Sequence, residues 1–142
     1  LAITMLERGR LLMAEQNALR FYEKINYLDE YEGVVLNKEL AMPIANSLVD
    51  ADILFLANHG IIVTGKTVYD AWESLYFLEK ACRAQILAMS SGKPIKIIED
   101  RIAKNVVEQI EKENKGNSAN AFRHFEALKR LLVNEGIEDF MD

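Results

Sequence analysis

One histidine stands where this chain could do chemistry. Residues 53–65, ILFLANHGIIVTG, place Asn58, His59 and Gly60 between two apolar, β-rich runs, 53–56 and 61–64. That pattern predicts two strands joined at a turn. An imidazole on such a turn is held by a sheet, and a neutral ring nitrogen is a good ligand for a divalent metal. The same position also suits a histidine that closes a turn or fills a core through hydrogen bonds, which is the commoner use, and the residues alone leave both readings open. The chain has only two histidines, His59 and His124, and one cysteine, Cys82. It carries no paired zinc-type cysteines, no phosphate-binding glycine loop, no nucleophile elbow and no internal repeat. His124, flanked by Arg123 and Phe125, reads as a surface or interface residue rather than a ligand.

The elements around the turn follow from periodicity. Thr67 with Asp70 three residues later forms a capping box, in which hydroxyl and carboxylate satisfy amides of the first helical turn. A helix of about 24 residues follows, roughly 36 Å long. Its stripe is Ala71, Trp72, Leu75, Leu78, Ala81, Cys82, Ile86 and Met89, and Ser91, Gly92 and Pro94 stop it. Glu79, beside the stripe, is expected to pair with Arg83 four positions on.

Before the turn, the opening residues read as a short helix closed by Gly9 in the left-handed conformation, with Arg8 and Arg10 suiting the helix dipole. Residues 11–13 read as a brief strand or turn, 17–22 as a helical turn and 24–28 as an extended piece. Phe21, Tyr22, Tyr27 and Tyr31, ending at Gly33, form an aromatic cluster that fills a core or an interface, with a pocket wall as the alternative. Asn37 is placed to cap a helix with Leu40, Ala41, Ile44, Ala45, Leu48 and Val49 on one face. Pro43 predicts that this helix kinks or begins near Met42. Downstream, 95–98 reads as an edge strand and 99–113 as an amphipathic helix with Ile102, Val106 and Ile110 inward. A polar loop at 114–120 then leads to a last helix carrying Phe122, Phe125, Leu128, Leu131 and Leu132, which ends near Gly136 before an acidic tail.

Bulk composition bounds the function classes. With 142 residues, half of them hydrophobic, the chain can bury a substantial core. Seventeen basic against 22 acidic residues, a net charge of −5, argue against a nucleic-acid footprint or a membrane-surface patch. Small molecules or protein partners fit better. A lone cysteine within an apolar helical stripe predicts a buried thiol and suits a reducing cytoplasm, and neither a signal peptide nor a membrane-length apolar run is visible. The first residue is Leu1, and LAITML already reads as part of a helical turn, so the chain is expected to be the later part of something longer.

The run LANHGIIVTGKTVYDAWESLYFLEKACRAQILAMSSGKP resembles the later half of the class II aldolase and adducin family. It shares the Asn-His-Gly turn at Asn58, His59 and Gly60, a strand closing on Gly65, and the Leu78-Glu79-x-Ala81 segment of a long helix. QNALRFYEKINYLDEYEG and HFEALKRLL are similar to the adducin-like and uncharacterised branch of the family. The resemblance implies an α/β fold, a three-layer α/β/α sheet flanked by helices with its N-terminal part missing. Residues 1–94 would be the later part of that domain and 95–142 a helical C-terminal extension. It implies zinc held by three histidines, with His59 matching the third and a His-x-His pair supplying the others, while a glutamate from the earlier half moves the proton. No His-x-His occurs here, so the chain by itself is expected to be inactive.

Enzymatic activity is left open by these residues. One reading is a zinc-dependent lyase that cleaves a small, phosphorylated hydroxy-carbonyl substrate and assembles as a homo-oligomer, a tetramer by resemblance. The other is an adducin-like binding module, with a cytoskeletal partner, or a truncated relic.

Overall fold

The computed structural model describes residues 2–31, 33–114 and 118–137. The expected acidic tail, 138–142, and the middle of the expected polar loop lie outside the described residues. Among the described residues three strands form one sheet in chain order, β1 (Ile25–Leu28), β2 (Ile53–Leu56) and β3 (Gly60–Val63). β1 runs parallel to β2, with helix α1 (Lys38–Ser47) in the connection, while β2 and β3 form an antiparallel pair. Three further helices follow, α2 (Val68–Met89), α3 (Asp100–Asn114) and α4 (Ala119–Asn134). The chain is therefore α/β, as the sequence predicts.

Pleating explains why β2 is apolar at every position. Its side chains alternate between faces, so a strand buried on both sides reads as a continuous hydrophobic run. Ile53 and Phe55 join Leu78, Ala81 and Cys82 of α2 in the main core. Leu54 and Leu56 point to the α1 side, and both are buried. The registers Tyr27↔Phe55↔Ile61 and Leu28↔Leu56↔Gly60 carry the alternation across the sheet. Tyr27 packs on Phe55 with ring centroids 5.2 Å apart. Each such side chain taken from water contributes about 1.5–3 kcal/mol.

The opening segment departs from expectation. Only Ala2–Met5 is helical, as a 3₁₀ turn, and the left-handed residue is Arg8 (φ 50°) rather than Gly9. Gly9 serves another purpose, because its α-carbon passes directly beside the Ile3 carbonyl. A second 3₁₀ turn, Ala18–Phe21, realises the expected helical turn, and residues 11–13 form no strand. The aromatic cluster separates: Phe21 enters the core, Tyr22 donates to Asp100 of α3, and Tyr31 stands apart and exposed.

Helix α1 begins at Lys38, well before Met42, and continues through Pro43. Asn37 caps it, its side-chain oxygen accepting from the Leu40 amide at 3.0 Å. At α2 the Thr67 hydroxyl accepts from the Asp70 amide at 3.2 Å, as a capping box requires. The Asp70 carboxylate, however, accepts from the hydroxyls of Thr67 (2.7 Å) and Ser118 (2.9 Å), tying the start of α2 to the start of α4. Glu79 and Arg83 are both exposed and make no ion pair with each other. Residues 95–98 form no strand; a single bond from the Ile98 amide to the Met13 carbonyl, 2.8 Å, anchors them. The inward face of α3 turns on buried Ala103 with Val106 and Ile110, which leaves Ile102 exposed.

His124 is not a free surface residue. It is half-buried between α2 and α4, with Nδ1 bonded to Glu73 and its ring edge-on to Tyr76 (4.8 Å) and Trp72 (5.2 Å). His124→Ala removes a hydrogen bond to a carboxylate and contacts with three aromatic rings, Trp72, Tyr76 and Phe77. It is expected to lower the free energy of unfolding by ~2 kcal/mol, measured by urea denaturation, and to increase proteolytic cleavage within α4.

Cys82 is 2% exposed, and burial, reinforced by Glu79, pushes its thiol pKa up to about 12. Since the thiolate is the nucleophile, Cys82 is expected to remain unlabelled by a disulfide reagent at pH 8. It should react at once when the chain is unfolded in guanidinium.

Candidate functional site

The His59 turn is built from both sheet and opening segment. The Ala57 amide donates to Leu28 (3.0 Å), extending the β1–β2 ladder, and the Asn58 amide donates to the Thr4 carbonyl (2.9 Å). The His59 amide donates back to Leu56 (3.2 Å). Asn58 adopts φ 57° and Gly60 φ 144°, so the reversal uses two positive-φ residues, one of them the residue type that best tolerates it after glycine. β3 accordingly starts at Gly60, one residue earlier than the pattern predicts.

His59 is exposed and lies on the wall of a pocket of about 120 Å³ between the sheet and α1. Apolar groups dominate that wall: Leu28 and Leu56 from the strands, Leu40, Pro43 and Ile44 from α1. Among the described residues its ionisable groups are His59, Tyr31 and Glu30. The Tyr31 ring stands edge-on to the imidazole, 6.4 Å between centroids. Tyr31 is thus the one member of the expected aromatic cluster that meets the candidate site. The contribution of α1 to this pocket was not foreseen; the pairing of Leu40 and Ile44 on one face was its available signal.

Across the same turn lies a second, open cleft of about 560 Å³ that reaches from Arg8 and Arg10 to Asn58. Arg10 is already engaged. Its two terminal nitrogens donate to the Asp29 carboxylate at 2.8 and 2.6 Å, and its guanidinium stacks over Tyr27 at 4.2 Å. The hydrogen bonds from Arg10 hold the Asp29 carboxyl below the usual range. Burial raises the Tyr27 hydroxyl, which accepts from the Leu11 amide.

A resident metal needs at least three protein donors around one point. Among the described residues no group of three or more His, Cys, Asp and Glu side chains could hold one. His124 is committed to Glu73 and does not join His59. The residues present therefore do not by themselves fit a bound zinc; they offer one imidazole beside an apolar pocket.

This strand-turn-strand and helix arrangement has relatives. The chain belongs to the class II aldolase and adducin N-terminal domain family, whose model matches residues 1–86. A putative aldolase class 2 protein from Caulobacter vibrioides is 37% identical over 83 residues, covering 58% of this chain and 32% of the relative. An L-fuculose phosphate aldolase from Methanocaldococcus jannaschii is 36% identical over 67 residues, covering 47% of this chain and 35% of that enzyme. Among solved structures, an aldolase II superfamily protein from Pseudomonas syringae superposes with a TM-score of 0.83 at 31% identity, covering 96% of this chain and 53% of that one. The chain thus spans about a third of the length of these curated relatives and about half of that structure. No helix among the described residues is long and apolar enough to cross a membrane.

Proposed function

We propose that this chain is the later part of a class II aldolase-type lyase, that His59 is one imidazole of its zinc site, and that the pocket beside it receives the substrate. The observation that carries this reading is the exposed imidazole at a sheet-anchored turn on a pocket wall, within a chain of this family. The similarity to an L-fuculose phosphate aldolase supports carbon–carbon bond cleavage next to a carbonyl as the reaction class. The remaining metal donors and the acid/base group would come from outside these residues, so the chain alone would be inactive. Its own contribution is to hold one imidazole in a fixed orientation and to wall the pocket. Residues 1–94 would form the later part of the domain and 95–142 a helical extension, in a cytoplasmic homo-oligomer.

A second reading, a non-catalytic adducin-like module, draws support from the solitary imidazole. Zinc analysis of the native gene product separates the two. The lyase reading expects about one zinc per chain, retained more than ~10-fold less tightly in His59→Ala. A metal-free product, indifferent to that substitution, would establish the module instead.

A further inference from the structure

We infer that the pocket beside His59 takes an apolar, ring-sized part of a carbonyl compound and not a phosphate group, with the carbonyl turned towards the imidazole. The orientation of the carbonyl rests on the reading of His59 given above; the choice of an apolar group does not. Three observations carry it.

The first is charge. Among the described residues no lysine or arginine lines the pocket, and its one carboxylate is Glu30. A phosphate dianion placed there would meet a like charge and leave water without a compensating cation, whereas phosphate sites recruit Arg, Lys or free backbone amides. The second is the state of the nearest helix terminus. The first turn of α1 offers little to an anion in this pocket, because Asn37, Lys38 and Glu39 do not line it and the Leu40 amide is taken by the Asn37 side chain (3.0 Å). The third is shape and lining. Leu28, Leu40, Ile44 and Leu56 converge on about 120 Å³, close to the ~150 Å³ of an apolar cavity that accepts benzene. Ligand sites of this kind bury an apolar body and orient it with a few polar groups at one end. Here those groups are Tyr31 and His59.

Acetophenone and dihydroxyacetone phosphate are the probes, titrated separately into the full chain with methyl and amide resonances followed by NMR, with and without a chelator. Acetophenone is expected to shift the Ile44, Leu40 and Leu56 methyls saturably, in the presence of chelator as in its absence. Dihydroxyacetone phosphate at tenfold higher concentration should leave them in place. Ile44→Lys, which puts a cation in the wall, should weaken acetophenone by at least ~10-fold. Leu40→Lys provides the same test from the neighbouring turn should the first variant unfold. Saturable shifts of these methyls by the phosphate at equal or lower concentration would overturn the inference, as would acetophenone shifts that never saturate. Both outcomes are independent of zinc: a metal-free gene product defeats the His59 ligand reading and leaves the methyl shifts standing, and the converse also holds.

Discussion

Gly9→Ala is expected to destabilise the chain by more than ~3 kcal/mol, the largest effect of any small substitution outside the hydrophobic core. A β-carbon on residue 9 would sit 1.9 Å from the Ile3 carbonyl oxygen and 3.0 Å from its carbon. Neither partner has room to retreat. Ile3 is fully buried in the main core, and residue 9 is tied by its amide to the Leu6 carbonyl at 3.0 Å. The obstacle is backbone against backbone, which rotamer changes cannot relieve. Displacement of this segment also reaches Thr4, whose carbonyl accepts from the Asn58 amide, so the His59 amide resonance should move with it. Gly136→Ala is the control. Its β-carbon would meet nothing within 4 Å, and only its φ of 77° opposes the change, for a cost of about 1 kcal/mol. Urea denaturation of the two variants checks the contrast, and a Gly9→Ala chain within ~1 kcal/mol of the parent would contradict it.

Gln85→Leu is expected to cost ~2–4 kcal/mol although it makes α2 more apolar. Gln85 is 8% exposed and joins α2 to the segment after Gly9 through both ends of its amide. Oε1 accepts from the Leu12 amide at 2.7 Å, and Nε2 donates to the Arg10 carbonyl at 2.8 Å. Leucine fills similar volume and leaves a donor and an acceptor unpaired in a confined site, which is costlier than losing the net value of two bonds. Gln85→Glu keeps the acceptor for Leu12 but faces the Arg10 carbonyl with a carboxylate, so it should also destabilise at neutral pH. Acidification that protonates this carboxyl would restore a donor and recover part of the loss. Chemical denaturation at two pH values measures both, and a Gln85→Leu chain as stable as the parent would refute the role.

How much of this was legible beforehand depended on the range of the determining interaction. The strands around Asn58 to Gly60, the Asn37 cap, the Thr67 cap and the span of α2 are written in local periodicity and local hydrogen bonding, and they stand within a residue or two of expectation. What escaped is long-range. His124 reads as a surface or interface residue, with nothing in the local sequence to name Glu73, 51 positions earlier, as its partner. Gly9 looks like a helix stop until the 3₁₀ turn folds Ile3 back over it. Residues 95–98 have strand-like composition, yet no neighbouring strand offers them a ladder. The His59 pocket needed α1 to cross from the end of β1 and close over Leu28 and Leu56, a packing decision that no window of sequence contains.

The place of β2 in the sheet has a consequence for the lifetime of the His59 turn. Among the described residues β2 alone is bonded along both sides, to β1 and to β3, and it is the strand from which the turn springs. Its amides should therefore be among the last in the chain to exchange with deuterated solvent, while the outward-facing amides of β1 and β3 exchange early. The imidazole would then hang from one of the most slowly opening parts of the described chain, so local fraying of the outer strands could remodel the pocket mouth without releasing the residue on which any chemistry there would depend.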